Sequence, residues 1–154
     1  MDMLYDCDQE LAKIEARINE DKFDSLNSCL ISYAVMKACG VLEVVYKNMI
    51  ADTVSIGATS EAKNYLDRQI RDNSSNPNVG NMLRLLESLS NQWRIRFDDQ
   101  TKGTIEKGSL GSLVGLRNDF AHGRTVTASI KNVRQYFRDG QTILKWLEDI
   151  LNST

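Results

Sequence analysis

His122 is the only histidine in the chain, and it stands five residues after Arg117 in the segment Leu116-Arg117-Asn118-Asp119-Phe120-Ala121-His122-Gly123. An imidazole gains and loses a proton near neutral pH. A guanidinium keeps its charge and grips phosphate oxygens in pairs, and an amide orients its neighbours through a donor and an acceptor. Together these groups are what cleavage of a phosphodiester requires. RNA supplies its own nucleophile: a base takes the 2′-hydroxyl proton, the oxygen attacks the adjacent phosphorus, and an acid protonates the departing 5′ oxygen. A guanidinium on the non-bridging oxygens stabilises the charge that builds there. The scheme calls for no metal, and DNA, which lacks the 2′-hydroxyl, is expected to survive.

The segment must sit on a helix end for this to work. On a regular helix, residues five apart diverge by about 140°, so Arg117 has to reach around toward His122. Asn118 lies one turn below His122 on the same face, where its amide is expected to hold an imidazole nitrogen. Gly123 is the natural stop, which places His122 in the last turn, where the helix dipole favours an imidazolium. One histidine does not easily serve as base and acid on opposite sides of a phosphate; a two-fold dimer would supply the second copy. Gly111 and Gly115, four apart just upstream, suit either a close helix crossing at such an axis or packing within one chain.

The elements that carry the segment are helical. Apolar residues at Leu4, Cys7, Leu11, Ile14 and Ile18 predict an amphipathic helix over 3–20. Asp24 or Ser25 caps a second helix running to about Ala51, apolar on more than one face and so central, with Gly40 as a bend or a point of close approach. Ser60 starts a short helix, and Asp72–Asn78 is the clearest loop. A helix over 79–97 follows, then a polar loop at Asp98–Gly108. The motif helix runs from Ser109 to Gly123, and the last helix covers 128–151. The fold class is all-α, a bundle of five to six helices in a single domain, 1–154, with the motif on the penultimate helix. No repeat and no convincing strand appears, although Thr53-Val54-Ser55-Ile56 alternates briefly.

Composition narrows the function. The chain has 154 residues, one proline and 42% hydrophobic residues, the profile of a globular domain able to bury a core. No run of about 18 uninterrupted apolar residues marks a membrane span, and the acidic start is unlike a secretion signal, so the expected location is cytoplasmic. Cys7, Cys29 and Cys39 form no CxxC pair. Cys29 and Cys39 read as buried small residues, and one histidine leaves no zinc-ligand set. The net charge of −2 argues against non-specific coating of nucleic acid, but residues 1–52 hold ten acidic and five basic side chains, and residues 53–154 eleven and fourteen. The motif half is the half that can approach a polyanion. Arg124, Lys131, Arg134 and Arg138 follow the motif and are candidates to steer RNA; solvated helix faces are the other reading. Glu43 has two readings, a contact to the motif arginine or a partly buried structural pair. Trp93 and Trp146 fall at helical spacing and read as core.

The Arg-Asn-x3-His string, with Ala121 before the histidine, resembles the signature of the HEPN domains (higher eukaryotes and prokaryotes nucleotide-binding), and the chain looks closest to their RiboL-PSP type. The resemblance implies a helical bundle that dimerises with its paired motifs lining one cleft, and in active members a metal-independent endoribonuclease of toxin–antitoxin or antiphage systems. Arg117 would then bind and polarise the phosphate, His122 would move protons and Asn118 would orient the site. The products would carry 2′,3′-cyclic phosphate ends, no cofactor would be needed, and an antitoxin or defence-system protein would be a possible partner. Other members are silent modules that bind RNA or protein, and that reading stays open alongside the enzymatic one.

Overall fold

The computed structural model describes residues 2–153 and, among them, seven α-helices and no strand. They are α1 (Met3–Glu20), α2 (Asn27–Val54), α3 (Ser60–Leu66, continued by a π-helical turn over Asp67–Arg71), α4 (Val79–Leu89), α5 (Asn91–Thr101), α6 (Ile105–Ala121) and α7 (Ile130–Asn152). The all-helical class and the placement of the motif on the penultimate helix agree with the sequence reading.

Each helix start has a local cause. The side chains of Asp2, Thr59, Asn78, Ser90, Thr104 and Ser129 each accept a hydrogen bond from a backbone N–H of the first turn, satisfying donors that the helix itself leaves open. Helix α2 is the exception: its N-cap is Leu26, with no side-chain cap, while Asp24 accepts from the Leu26 N–H one step earlier. The short helix is capped by Thr59, one residue before the expected Ser60.

Two expected elements are divided differently. The helix expected over 79–97 is broken at Ser90, whose extended backbone (φ −155°, ψ 111°) ends α4 and whose hydroxyl caps α5. The loop expected at Asp98–Gly108 shrinks to three residues between α5 and α6. Thr101 is buried and returns its hydroxyl to the Phe97 carbonyl at 2.8 Å, Gly103 supplies a φ of +73°, and Thr104 caps the next helix. Polar composition suggested a loop there, but caps on both sides keep the turn tight.

Helix α2 is central, touching α1, α6, α7 and the π turn, while α7 folds back along α6 and also meets α1, α2 and α5. By length and apolar composition α2 alone among the described helices would suffice to cross a membrane; here its apolar faces serve the bundle, burying Ala34, Ala38, Leu42, Tyr46 and Ile50. Gly40 is exposed with open space around it, so the close approach lies elsewhere, at Gly140 of α7. A Cβ on Gly140 would come within 2.7 Å of a Leu42 methyl, so the missing side chain lets α7 settle against α2.

Candidate functional site

The motif occupies the last turn of α6. Arg117 and Asn118 are half-buried within the helix, and His122 is its exposed C-cap residue, with its backbone N–H on the Asn118 carbonyl at 3.0 Å. Gly123 follows with φ +72°. Its N–H reaches the Phe120 carbonyl at 3.0 Å and the Arg124 N–H reaches Asp119 at 2.8 Å, a Schellman arrangement that only a left-handed residue permits. The expected stop is therefore the observed one, and it fixes where the imidazole leaves the helix. Among the described residues, nothing hydrogen-bonds the His122 ring.

Asn118 does something other than hold His122. Its Oδ1 accepts from the Arg117 guanidinium at 3.3 Å and from the Asn76 amide at 3.4 Å. It thus ties the motif arginine to the loop over residues 72–78. That loop is held from beneath by α2. The Lys47 ammonium donates to the Asn73 carbonyl at 2.6 Å, the Tyr46 hydroxyl to the Ser75 carbonyl at 3.3 Å, and the Ser75 N–H to Glu43 at 2.9 Å. Glu43 also pairs with Lys47 at 3.1 Å. Of its two readings the structural pair is the one formed, and no contact to Arg117 is made.

Arg117 has no carboxylate partner among the described residues. Its guanidinium opens into a cleft of about 510 Å³ between the loop, the π turn and α4. Beside it lies Cys39, whose thiol donates to the Leu113 carbonyl at 3.7 Å; burial pushes that thiol up to about 12, against the pull of the Arg117 charge. Cys7, buried under α2, is likewise held up to about 12 by desolvation. Both stay protonated thiols at neutral pH. Cys29, expected to be buried, is exposed near the start of α2.

The four basic residues after the motif separate. Arg124 is exposed but pairs with Asp119 at 3.0 Å, reinforcing the helix end. Lys131 and Arg138 are exposed and free of ion pairs among the described residues. Arg134 is turned into the seam between α7 and α1, paired with Glu15 and lying 3.7 Å from Asp8. Arg134 and Arg138 share a face by spacing, but the acidic residues of α1 claim the first. Trp93 and Trp146 pack against the core, as their spacing predicts.

A second groove flanks the motif on its other side. Tyr33 and Met36 of α2, Phe120 of α6 and Val126 of the α6–α7 connection line it, with Phe120 46% and Tyr33 47% exposed. Gly111 and Gly115 are exposed with nothing near their Cβ positions, so they do not serve packing inside the chain. Among the described residues no three His, Cys, Asp or Glu side chains gather as a metal-ligand group.

With this geometry in place, comparison with known families shows that the model of the RiboL-PSP-HEPN family matches residues 2–153. The chain belongs to that family. No curated protein and no solved structure matches it. The match runs nearly end to end, so all seven helices of this HEPN domain, and not the motif segment alone, carry the family pattern.

Sequence reasoning missed Asn76, Asn81, Lys47 and Arg84 as parts of the site. Asn76 reaches the cleft from the loop over 72–78, Asn81 and Arg84 from the first turns of α4 and Lys47 from α2, all far from the motif in sequence. The only available signal was the density of asparagines around Pro77, which reads equally well as ordinary loop chemistry.

Proposed function

We propose that this HEPN domain is a metal-independent endoribonuclease acting as a two-fold dimer, cytoplasmic and of the toxin or antiphage-defence kind. The observation that carries the reading is the pairing of an uncompensated, half-buried guanidinium on Arg117 with an exposed, unbonded imidazole on His122 at one rigid helix end. A structural arginine at such a site would be matched to a carboxylate, as Arg71, Arg124 and Arg134 are.

In the reaction, one His122 imidazole takes the proton of the 2′-hydroxyl while the O2′–P bond forms. The P–O5′ bond breaks as the imidazolium of the second copy returns a proton to the 5′ oxygen. The products are a 2′,3′-cyclic phosphate and a 5′-hydroxyl, and the protons balance across the two imidazoles. Arg117 binds the non-bridging oxygens and stabilises the charge of the pentacoordinate phosphorus. Asn118 keeps the guanidinium in place. Lys131 and Arg138 lie on the surface after the motif and contribute to drawing in the polyanion. The dimer places the apolar groove around Phe120 and Tyr33 against a second copy, as exposed aromatics beside a half-complete site suggest. An antitoxin or other defence protein would control it by covering that face.

The test is cleavage of a mixed RNA pool in EDTA by the wild type and by His122→Ala. The wild type is expected to cut and the variant to lose at least about a hundredfold in rate. Equal rates from both would contradict the proposal, and a folded wild type that binds RNA without cutting it would mark a silent binding module.

A further inference from the structure

The cleft that receives Arg117 extends well beyond what one phosphate fills, and its opposite wall has no part in the motif chemistry. Three cations line it, Lys47, Arg84 and Arg117, and no carboxylate does, in a chain whose net charge is −2. Lys47 is neutralised from behind by Glu43 at 3.1 Å. Two uncompensated guanidinium groups are left facing one space.

A chain of amides links them. Arg84 of α4 donates to the Asn81 side-chain oxygen Oδ1, the Asn81 side-chain amide donates to the Asn76 backbone carbonyl at 2.9 Å, and the Asn76 side-chain amide donates to Asn118 Oδ1, which also accepts from Arg117. The loop in the middle of this chain is pinned to α2 by Glu43, Tyr46 and Lys47. Two cations that line one polar cleft and are linked through its amides suit two negative groups on one ligand. This wall borders the space in which a strand would present a phosphate to Arg117. The apolar lining is confined to Tyr46, Ile70 and Leu85, with Tyr46 and Ile70 buried, so there is no exposed ring on which a base could stack. Contacts here fall to the sugar–phosphate backbone, which position a strand without reading its sequence.

We propose that Arg84 binds a second, non-reacting phosphate of single-stranded RNA, making the cleft beneath the loop the subsite that positions the strand for cleavage at Arg117. The proposal rests on the ribonuclease reading for its substrate class. Arg84 is a positioning residue, since it acts on a phosphate away from the reacting one.

The probe is a fluorescein-labelled oligonucleotide with 2′-O-methyl groups throughout, which cannot be cut. Its binding by anisotropy is followed over a salt series for the wild type, Arg84→Ala and Lys102→Ala. Lys102 is an exposed cation on the α5–α6 turn that does not line the cleft, so its variant controls for net charge. Arg84→Ala is expected to weaken binding about tenfold and to reduce the salt slope by about one, with Lys102→Ala within about twofold of wild type. On cleavable RNA, Arg84→Ala should raise KM and leave kcat near wild type with the same product ends. Equal binding by Arg84→Ala and Lys102→Ala, or no binding by the wild type, would overturn the assignment. Arg84-dependent binding without cleavage would support the subsite while defeating the ribonuclease reading. Cleavage with unchanged kinetics in Arg84→Ala would do the reverse.

Discussion

Single side chains in this domain divide by whether their charge is answered. Arg134 is answered twice, by Glu15 and Asp8, with its side chain 17% exposed. Removing it strands two carboxylates in the α1–α7 seam, where unpaired charge is costly. Arg134→Ala is expected to lose on the order of 3 kcal/mol of stability, read as a lower urea midpoint at unchanged slope, with RNA affinity at limiting denaturant-free conditions unaltered. A variant of native stability with weakened RNA binding would return Arg134 to the steering role that its position after the motif suggested. Arg117 is the opposite case, held by an amide alone, and the proposed phosphate contact rests on that open charge. The spacing of Arg117 and His122 was readable in the sequence because His122 is the chain's single histidine and the arginine stands in the same short segment. The partner of Asn118 was not, because it comes from Asn76, 42 residues away, and nothing local to the motif encodes a contact across that distance.

At the scale of elements, the α6 terminus sets the site. Gly123 adopts φ +72°, a conformation that costs other residues roughly 1 kcal/mol or more. Gly123→Ala is expected to lower the urea midpoint by about that amount and to reduce cleavage further than stability alone explains, since His122 is the residue the turn releases. Gly123→Asn should lie closer to wild type, because asparagine tolerates the left-handed region. Equal stability of Gly123→Ala and wild type would mean the turn is not what ends the helix. Helix existence was legible throughout from apolar periodicity, and so were the Gly123 stop and the loop around Pro77. The break at Ser90 was not, because Leu86, Leu89 and Trp93 continue an apolar period straight across it. One extended residue breaks the helix there, and serine is a strong cap but also an ordinary helix-surface residue. The reverse error at Asp98–Gly108 has the same origin: polar, glycine-bearing sequence reads as loop, while buried Thr101 and the Thr104 cap hold it to three residues.

For the whole molecule, the proposed dimer is the link between one histidine per chain and the exposed aromatic groove that Phe120 lines. Phe120 lies between Arg117 and His122 in sequence and is 46% exposed. Phe120→Glu is expected to convert the protein to monomers in sedimentation and to abolish cleavage while leaving helical content intact. A wild type that sediments as a monomer and cuts RNA would contradict the composite site. The bundle itself was legible, since an all-helical chain with a long central helix and a closing amphipathic helix leaves few other architectures. The polar cleft was not, because it forms only where α2, the π turn, the loop and α4 converge.

On the proposed mechanism the RNA's own 2′-hydroxyl is the nucleophile and His122 moves the protons. The measurement that tests it most directly uses an oligoribonucleotide cut at a known bond and its twin carrying one 2′-deoxynucleotide immediately 5′ of that bond, with product ends identified by mass spectrometry. The expected outcome is a 2′,3′-cyclic phosphate from the first and no cut at that bond in the second. Cleavage of the deoxy-substituted bond, or products ending in a 5′-phosphate, would contradict it.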